Sequence, residues 1–283
     1  MGGSGGNGGG RRPVAAVLLT TGIVLAPGTI PAAHASAHQV ARQSVQQAVR
    51  QGVRPDFAAT VRESGAVEFT APRQTLRLGA KGTAVKRLQI RLRQLGYVPG
   101  KVDGRYGGAT LAAVWAFQKV QGLKPTSTIG AGTWRALEAP RAPKVLVPNG
   151  KPDRVEINLT KQIVVLYRGG KVRLISHASS GSGIPYTETT VWNGKKQTFS
   201  GSATTPTGDY RTTWRVKGWH TSYLGRLYNP IFFNGGIALH GALAVPLYPA
   251  SHGCVRLPMA VAEILPGMLG KGVPVHVRGR FKR

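Results

Sequence analysis

Near residue 150 the apolar residues of this chain change period, and one kind of architecture cannot carry both periods. Before that point they recur every three or four residues. Val85, Leu88, Leu92 and Leu95 fall on one face of a helix that Gly96 ends. Leu111, Val114, Trp115 and Phe117 make a second helical face, with Thr110 as its expected cap. Trp134 and Leu137 mark a third, short helix, and the glycine-dense "VDGRYGG" turns the chain between the first two. From 153 the period is two. "RVEINLTKQIVVLYRGGKVRLISHASSG" alternates, turns at Gly169-Gly170 and alternates again, which predicts a β-hairpin. Further strands are expected over 208–216, 237–240 and 273–277. A helix is expected over about 258–269, which Pro266 should end or kink. The fold class is therefore multidomain α + β: a small three-helix unit over 76–139, then a mainly antiparallel, β-sandwich-like domain over 153–278 with one or two helices.

Between and before these units the composition is that of connectors and an address. Residues 1–37 hold Arg11 and Arg12, an apolar run broken by Pro27 and Pro31, and Ala35-Ser36-Ala37, an A-x-A pattern for cleavage before His38. That is a secretory signal pattern rather than a spanning helix, so no stable membrane span is expected after cleavage. The arginine pair leaves the choice of export route open. Residues 38–75, rich in Gln, Arg, Ala and Ser, read as a partly disordered linker with room for one helix near 38–51. Residues 140–152 read as a semi-stiff, proline-rich linker, and 279–283 as a basic tail. The 38 Lys and Arg against 10 Asp and Glu give +28, which suits a polyanionic partner such as an acidic cell-wall polymer. No pattern of a nucleic-acid-binding fold accompanies that charge.

The only cysteine, Cys254, lies in "LHGALAVPLYPASHGCVRLP". Exported chains use cysteines in pairs, so a single one is either an apolar filler or a reactive thiol. A thiol needs a base nearby to act as a nucleophile at neutral pH. Two histidines are available: His252, two residues before it, and His240, fourteen before it at the end of an expected strand. Gly253 allows close backbone approach, and main-chain N–H groups of such a turn can converge as an oxyanion hole. His177, His220 and His276 are scattered without metal-ligand spacing, so neither a metal nor a cofactor is expected. "SSGSG" and "FSGSA" read as loops, not phosphate cradles.

Two families are resembled. "LGAKGTAVKRLQ", "VDGRYGGATLAAVWAFQ" and "GL…TW" over 76–137 are similar to the peptidoglycan-binding domain type 1 family, although "GLKPTSTIG" alters its usual turn. The resemblance implies a non-catalytic module for wall glycan or stem peptide, with Asp103, Arg105 and Tyr106 as exposed groups able to contact it. His240-Gly241 and Ser251-His252-Gly253-Cys254-Val255-Arg256, with "TPTG" at 205–208, resemble the L,D-transpeptidase (YkuD-like) family. This implies Cys254 as nucleophile, His240 as base and the Gly241 carbonyl as its orienting group. Gly253 and Cys254 N–H groups would hold the oxyanion, while Ser251, His252 and Arg256 would shape the turn or touch substrate. It also implies 3→3 cross-linking of peptidoglycan stems with loss of D-Ala, and acylation by carbapenems. Trp219, Tyr223, Tyr228, Phe232 and Phe233 either line the donor cleft or pack the core. Transfer to an amine, hydrolysis as an L,D-carboxypeptidase, and wall binding without catalysis remain open.

Overall fold

The computed structural model describes residues 69–281; the signal pattern and the helix expected near 38–51 lie outside them. Three helices come first: α1 (Thr83–Gln94), α2 (Gly108–Gln121) and α3 (Ala131–Glu138). Their expected apolar faces close on one another, with Val85, Leu88, Leu92, Val114, Phe117, Trp134 and Leu137 buried. Thr110 is not the cap of α2. The helix starts after Gly107, and Thr110 is buried inside it, donating to Pro99 O (3.0 Å) and accepting from Gln89 Nε2 (3.1 Å). Tyr106 is 1 % exposed, so it belongs to this core and offers nothing to a ligand.

Eleven strands follow among the described residues. A five-stranded sheet has the order β3-β2-β1-β11-β6, from β1 (Arg154–Asn158), β2 (Ile163–Arg168), β3 (Lys171–His177), β6 (Gly208–Arg211) and β11 (Pro274–Arg278). A four-stranded sheet has the order β10-β9-β8-β7, from β7 (Trp219–Ser222), β8 (Gly225–Asn234), β9 (Ile237–Ala242) and β10 (Val255–Pro258). β4 (Pro185–Trp192) and β5 (Lys195–Ser202) form a separate hairpin, so "FSGSA" is mostly strand rather than loop. Most pairs are antiparallel, but β1 with β11 and β9 with β10 are parallel.

The first stretch of alternation holds two strands, not one. Asn158 Oδ1 accepts the N–H of Lys161 (2.9 Å), and Gln162 takes a left-handed φ of 52°, so the chain reverses between β1 and β2. The result is a three-stranded meander. The single helix of this region, α4 (Met259–Met268), passes through Pro266 without ending there. Proline cannot donate to the carbonyl four residues back. That carbonyl, Ala262 O, instead accepts Asn229 Nδ2 (3.1 Å).

β2 is buried on both faces. Val164 and Leu166 join Leu239, Val255, Leu257 and α4's Val261 and Leu265 in the core shared by the two sheets. Ile163, Val165 and Tyr167, with Ile175 of β3, join the core of the three helices. Residues 140–152 are pinned to the same outer face. The fully buried carboxylate of Glu156 accepts the N–H groups of Leu146 (2.8 Å) and Val147 (3.3 Å), and Arg154 Nε (2.8 Å) neutralises it. The expected spacer is therefore part of the packed structure.

Candidate active site

Parallel pairing of β9 with β10 sets the site. Leu239 lies opposite Val255 and His240 opposite Arg256. Side chains alternate along a strand, so Leu239, Val255 and Leu257 turn into the core. Ala238, His240, Cys254 and Arg256 then share the other face. Phe232, paired with Ala238 from β8, stands on that face too. Cys254, only partly exposed, packs against the small cluster of Phe232, Ala238 and Leu227.

His240 is buried and its Nδ1 is 3.0 Å from Gly241 O. A carbonyl oxygen only accepts, so Nδ1 carries the ring proton and Nε2 keeps its lone pair. Burial pushes His240 down to about 4; Arg256 adds to that, and the Gly241 bond opposes it. Burial pushes the Cys254 thiol up, against the pull of the Ala238 N–H and the Arg256 charge. The sulfur accepts from Ala238 N (3.4 Å) and donates to Gly236 O (3.6 Å). At neutral pH the site therefore rests as a neutral thiol and a neutral imidazole. The imidazole can take a proton and the sulfur can attack a carbonyl; no resting ion pair is present.

The turn before the sulfur is closed by Ser251. Its hydroxyl donates to Cys254 O and accepts the Gly253 N–H (3.0 Å), while Thr205 Oγ1 donates to Gly253 O (2.5 Å). Gly253 has φ 136°, and a Cβ there would sit 3.2 Å from Thr204 O, so glycine is required. Its N–H is occupied, which corrects the expectation that it serves as an oxyanion donor. Gly241 is required for a different reason: a Cβ would come within 2.7 Å of Ala262 Cβ on α4.

The two regions of sequence match two family models. Residues 81–137 match the peptidoglycan binding domain, and 152–277 match the L,D-transpeptidase catalytic domain. Among solved structures, an L,D-transpeptidase from Xylanimonas cellulosilytica is similar at 40% identity and a TM-score of 0.65, over 75% of this chain and all of that one. This chain belongs to the L,D-transpeptidase family. Two curated relatives match over short stretches. A spore cortex-lytic enzyme of Bacillus subtilis is 45% identical over 65 residues, and an uncharacterized protein of Kitasatospora aureofaciens is 48% identical over 58. The chain spans 21% and 49% of their respective lengths.

Within this chain the expected site residues separate. His252 turns away to the β4–β5 hairpin, edge-on to Tyr186 (4.7 Å between ring centres) and 3.6 Å from Glu188 Oε1. Phe233 alternates into the core against Tyr210, and Tyr228 reaches α4 to donate to Glu263 Oε2 (2.5 Å). Neither is on the Cys254 face, whereas Phe232 is. Trp219 packs on Tyr228 (5.1 Å between ring centres). His177 is the last residue of β3 and is 1 % exposed.

Two features escape the sequence-based expectations. Trp214 stacks on Phe232 at 3.6 Å and 9°, with His220 edge-on to both, and so extends the aromatic wall beside the sulfur. The β4–β5 hairpin carries Phe199, stacked on Tyr223 at 4.1 Å. Its signal is Asn193-Gly194 between alternating residues, both at positive φ (51° and 75°), the pattern of a two-residue type I′ turn. Trp214 has no comparable signal: a lone tryptophan after a short strand looks the same in core or cleft.

Proposed function

We propose that this chain is an exported peptidoglycan L,D-transpeptidase that makes 3→3 cross-links through a thioester on Cys254. One arrangement carries the reading. His240, its Nδ1 proton held by the Gly241 carbonyl, shares with Cys254 the outer face of a parallel strand pair. The neutral thiol needs a base, and the neutral imidazole has its Nε2 lone pair available.

In the first half-reaction, Nε2 takes the thiol proton as the sulfur attacks the carbonyl joining the third stem residue, a diamino acid, to terminal D-Ala. The Cys254 N–H is the oxyanion donor we assign, since that of Gly253 is occupied. Collapse breaks the C–N bond, His240 returns the proton to the departing amine, and D-Ala leaves. In the second, the side-chain amine of another stem attacks the thioester, its proton passes to His240, and the sulfur is released and reprotonated. Arg256, on the same face, favours the thiolate at both stages. Ser251 holds the turn, and His252 ties it to the hairpin.

The N-terminal signal pattern and the +28 charge support work outside the cytoplasm among anionic wall polymers, with the helical module holding peptidoglycan. Among the described residues no helix is long and apolar enough to cross a membrane. Carbapenems, which present a strained carbonyl, should acylate Cys254. The test is incubation of the purified chain with tetrapeptide muropeptides. Cross-linked dimers and free D-Ala are expected. Tripeptides alone would make it a carboxypeptidase, and unchanged substrate or persistent turnover by Cys254→Ala would overturn the assignment.

A further inference from the structure

The helical module reaches into the support of the nucleophile turn. Trp115 and Lys119, four residues apart on α2, share one side of that helix. Both grip His177 at the end of β3: Trp115 edge-on at 5.3 Å between ring centres, and Lys119 with Nζ 2.9 Å from Nδ1. Lys119 Nζ also donates to Gln162 O (3.1 Å). Val245 O can only accept, so the ring proton of His177 sits on Nε2 and Nδ1 accepts from Lys119 Nζ. Nε2 then donates to Val245 O (2.9 Å). Val245 lies in residues 243–250, the segment between His240-Gly241 and the Ser251–Cys254 turn.

The same segment is hung at two further points from the residues after β3. Ser179 Oγ donates to Tyr248 O (2.7 Å), and Ser180 O accepts the N–H groups of Ala250 and Ser251 (3.0 Å each). Ser180 is itself fixed by Gln162, which accepts its N–H (2.7 Å) and donates to its hydroxyl (2.9 Å). Lys119 thus touches both His177 and Gln162, the two roots of that support. Burial pushes Lys119 down to about 7, an unfavourable environment that a Met of similar length would not meet. Packing alone does not explain an amine there.

We propose that Lys119 and His177 are positioning residues for the reaction at Cys254: through Lys119 the helical module holds the ring of His177 in place, which holds residues 243–250 and so the height of the nucleophile turn. The proposal rests on the transpeptidase reading of Cys254.

The test compares wild type with Lys119→Met, His177→Phe and His177→Gln. Three quantities are measured: the rate and half-saturation of carbapenem acylation by intact mass, amide exchange over 243–251, and Tm. Lys119→Met should lower the maximal acylation rate at least about tenfold, as expected for a displaced nucleophile. Half-saturation should not change, exchange at Ala250 and Ser251 should quicken, and Tm should hold or rise. His177→Phe should behave like it, whereas His177→Gln, which keeps a donor near Nε2, should recover most of the rate. If His177→Phe does not fold, Lys119→Met decides. Acylation and exchange unchanged in Lys119→Met would overturn the proposal, as would a loss confined to half-saturation. A wild-type chain that no carbapenem acylates would sink the Cys254 reading instead, and the exchange data would still decide whether Lys119 braces the loop.

Discussion

The two sheets share a core and differ in what covers their far sides. The five-stranded sheet is covered twice: the three helices pack on Ile163, Val165, Tyr167 and Ile175, and the pinned segment closes over Glu156. The four-stranded sheet leaves Ala238, His240, Cys254 and Arg256 beneath only an aromatic wall and a hairpin. Each sheet holds one buried histidine that is neutral at pH 7, His177 and His240. One has both ring nitrogens engaged, and the other keeps a free lone pair. Burial alone therefore does not make a base; the number of partners does.

Replacing His240 tests the uncovered side most severely. His240→Ala should cut acylation by about 10²–10⁴-fold, the usual contribution of a general base, without lowering Tm. A Tm that falls in step with activity would make His240 a packing residue like its counterpart. On the covered side, Ile175→Ala should destabilise by about 2–5 kcal/mol. Because Ile175 belongs to the core of the helices and to a strand of the sheet, the loss should appear in a single unfolding transition. Two separable transitions would break the claim of a common core.

The smallest effect is on pH. Both histidines have folded values near 4, below the ordinary 6.5, so the unfolded chain binds more protons between those values. Stability is then fully present above about 6.5 and declines as pH falls toward 4. Roughly 1 kcal/mol per histidine should be lost between pH 7 and 5.5. Denaturant titrations of wild type and His177→Gln at the two pH values measure it; equal slopes would show that His177 takes no part.

The face of α1 was legible because one side of that helix is apolar and the other is not, whereas α2 is buried on most sides. Cys254 stood out because so few residue types activate a thiol, but His240 was set apart from His252 only by the family resemblance. The reversal at Gln162 was hidden, since Asn158 and a left-handed Gln look from the sequence like a continued strand. The fate of Phe232 and Phe233 was hidden too. Two adjacent aromatics must point to opposite faces, but which one meets the cleft depends on register with β9, and register is a tertiary property. That the helix runs on past Pro266 was hidden for a related reason: Asn229, which takes up the Ala262 carbonyl, comes from a strand.

Glu156 fastens the connector between anchor and catalyst, and this changes how such an enzyme would search its surroundings. A tethered catalyst on a loose leash samples many neighbours around its mooring. Here the connector is packed against the sheet, so under the transpeptidase reading each binding event would offer one standoff, like the jaws of a caliper, and acceptor strands would have to come to that spot.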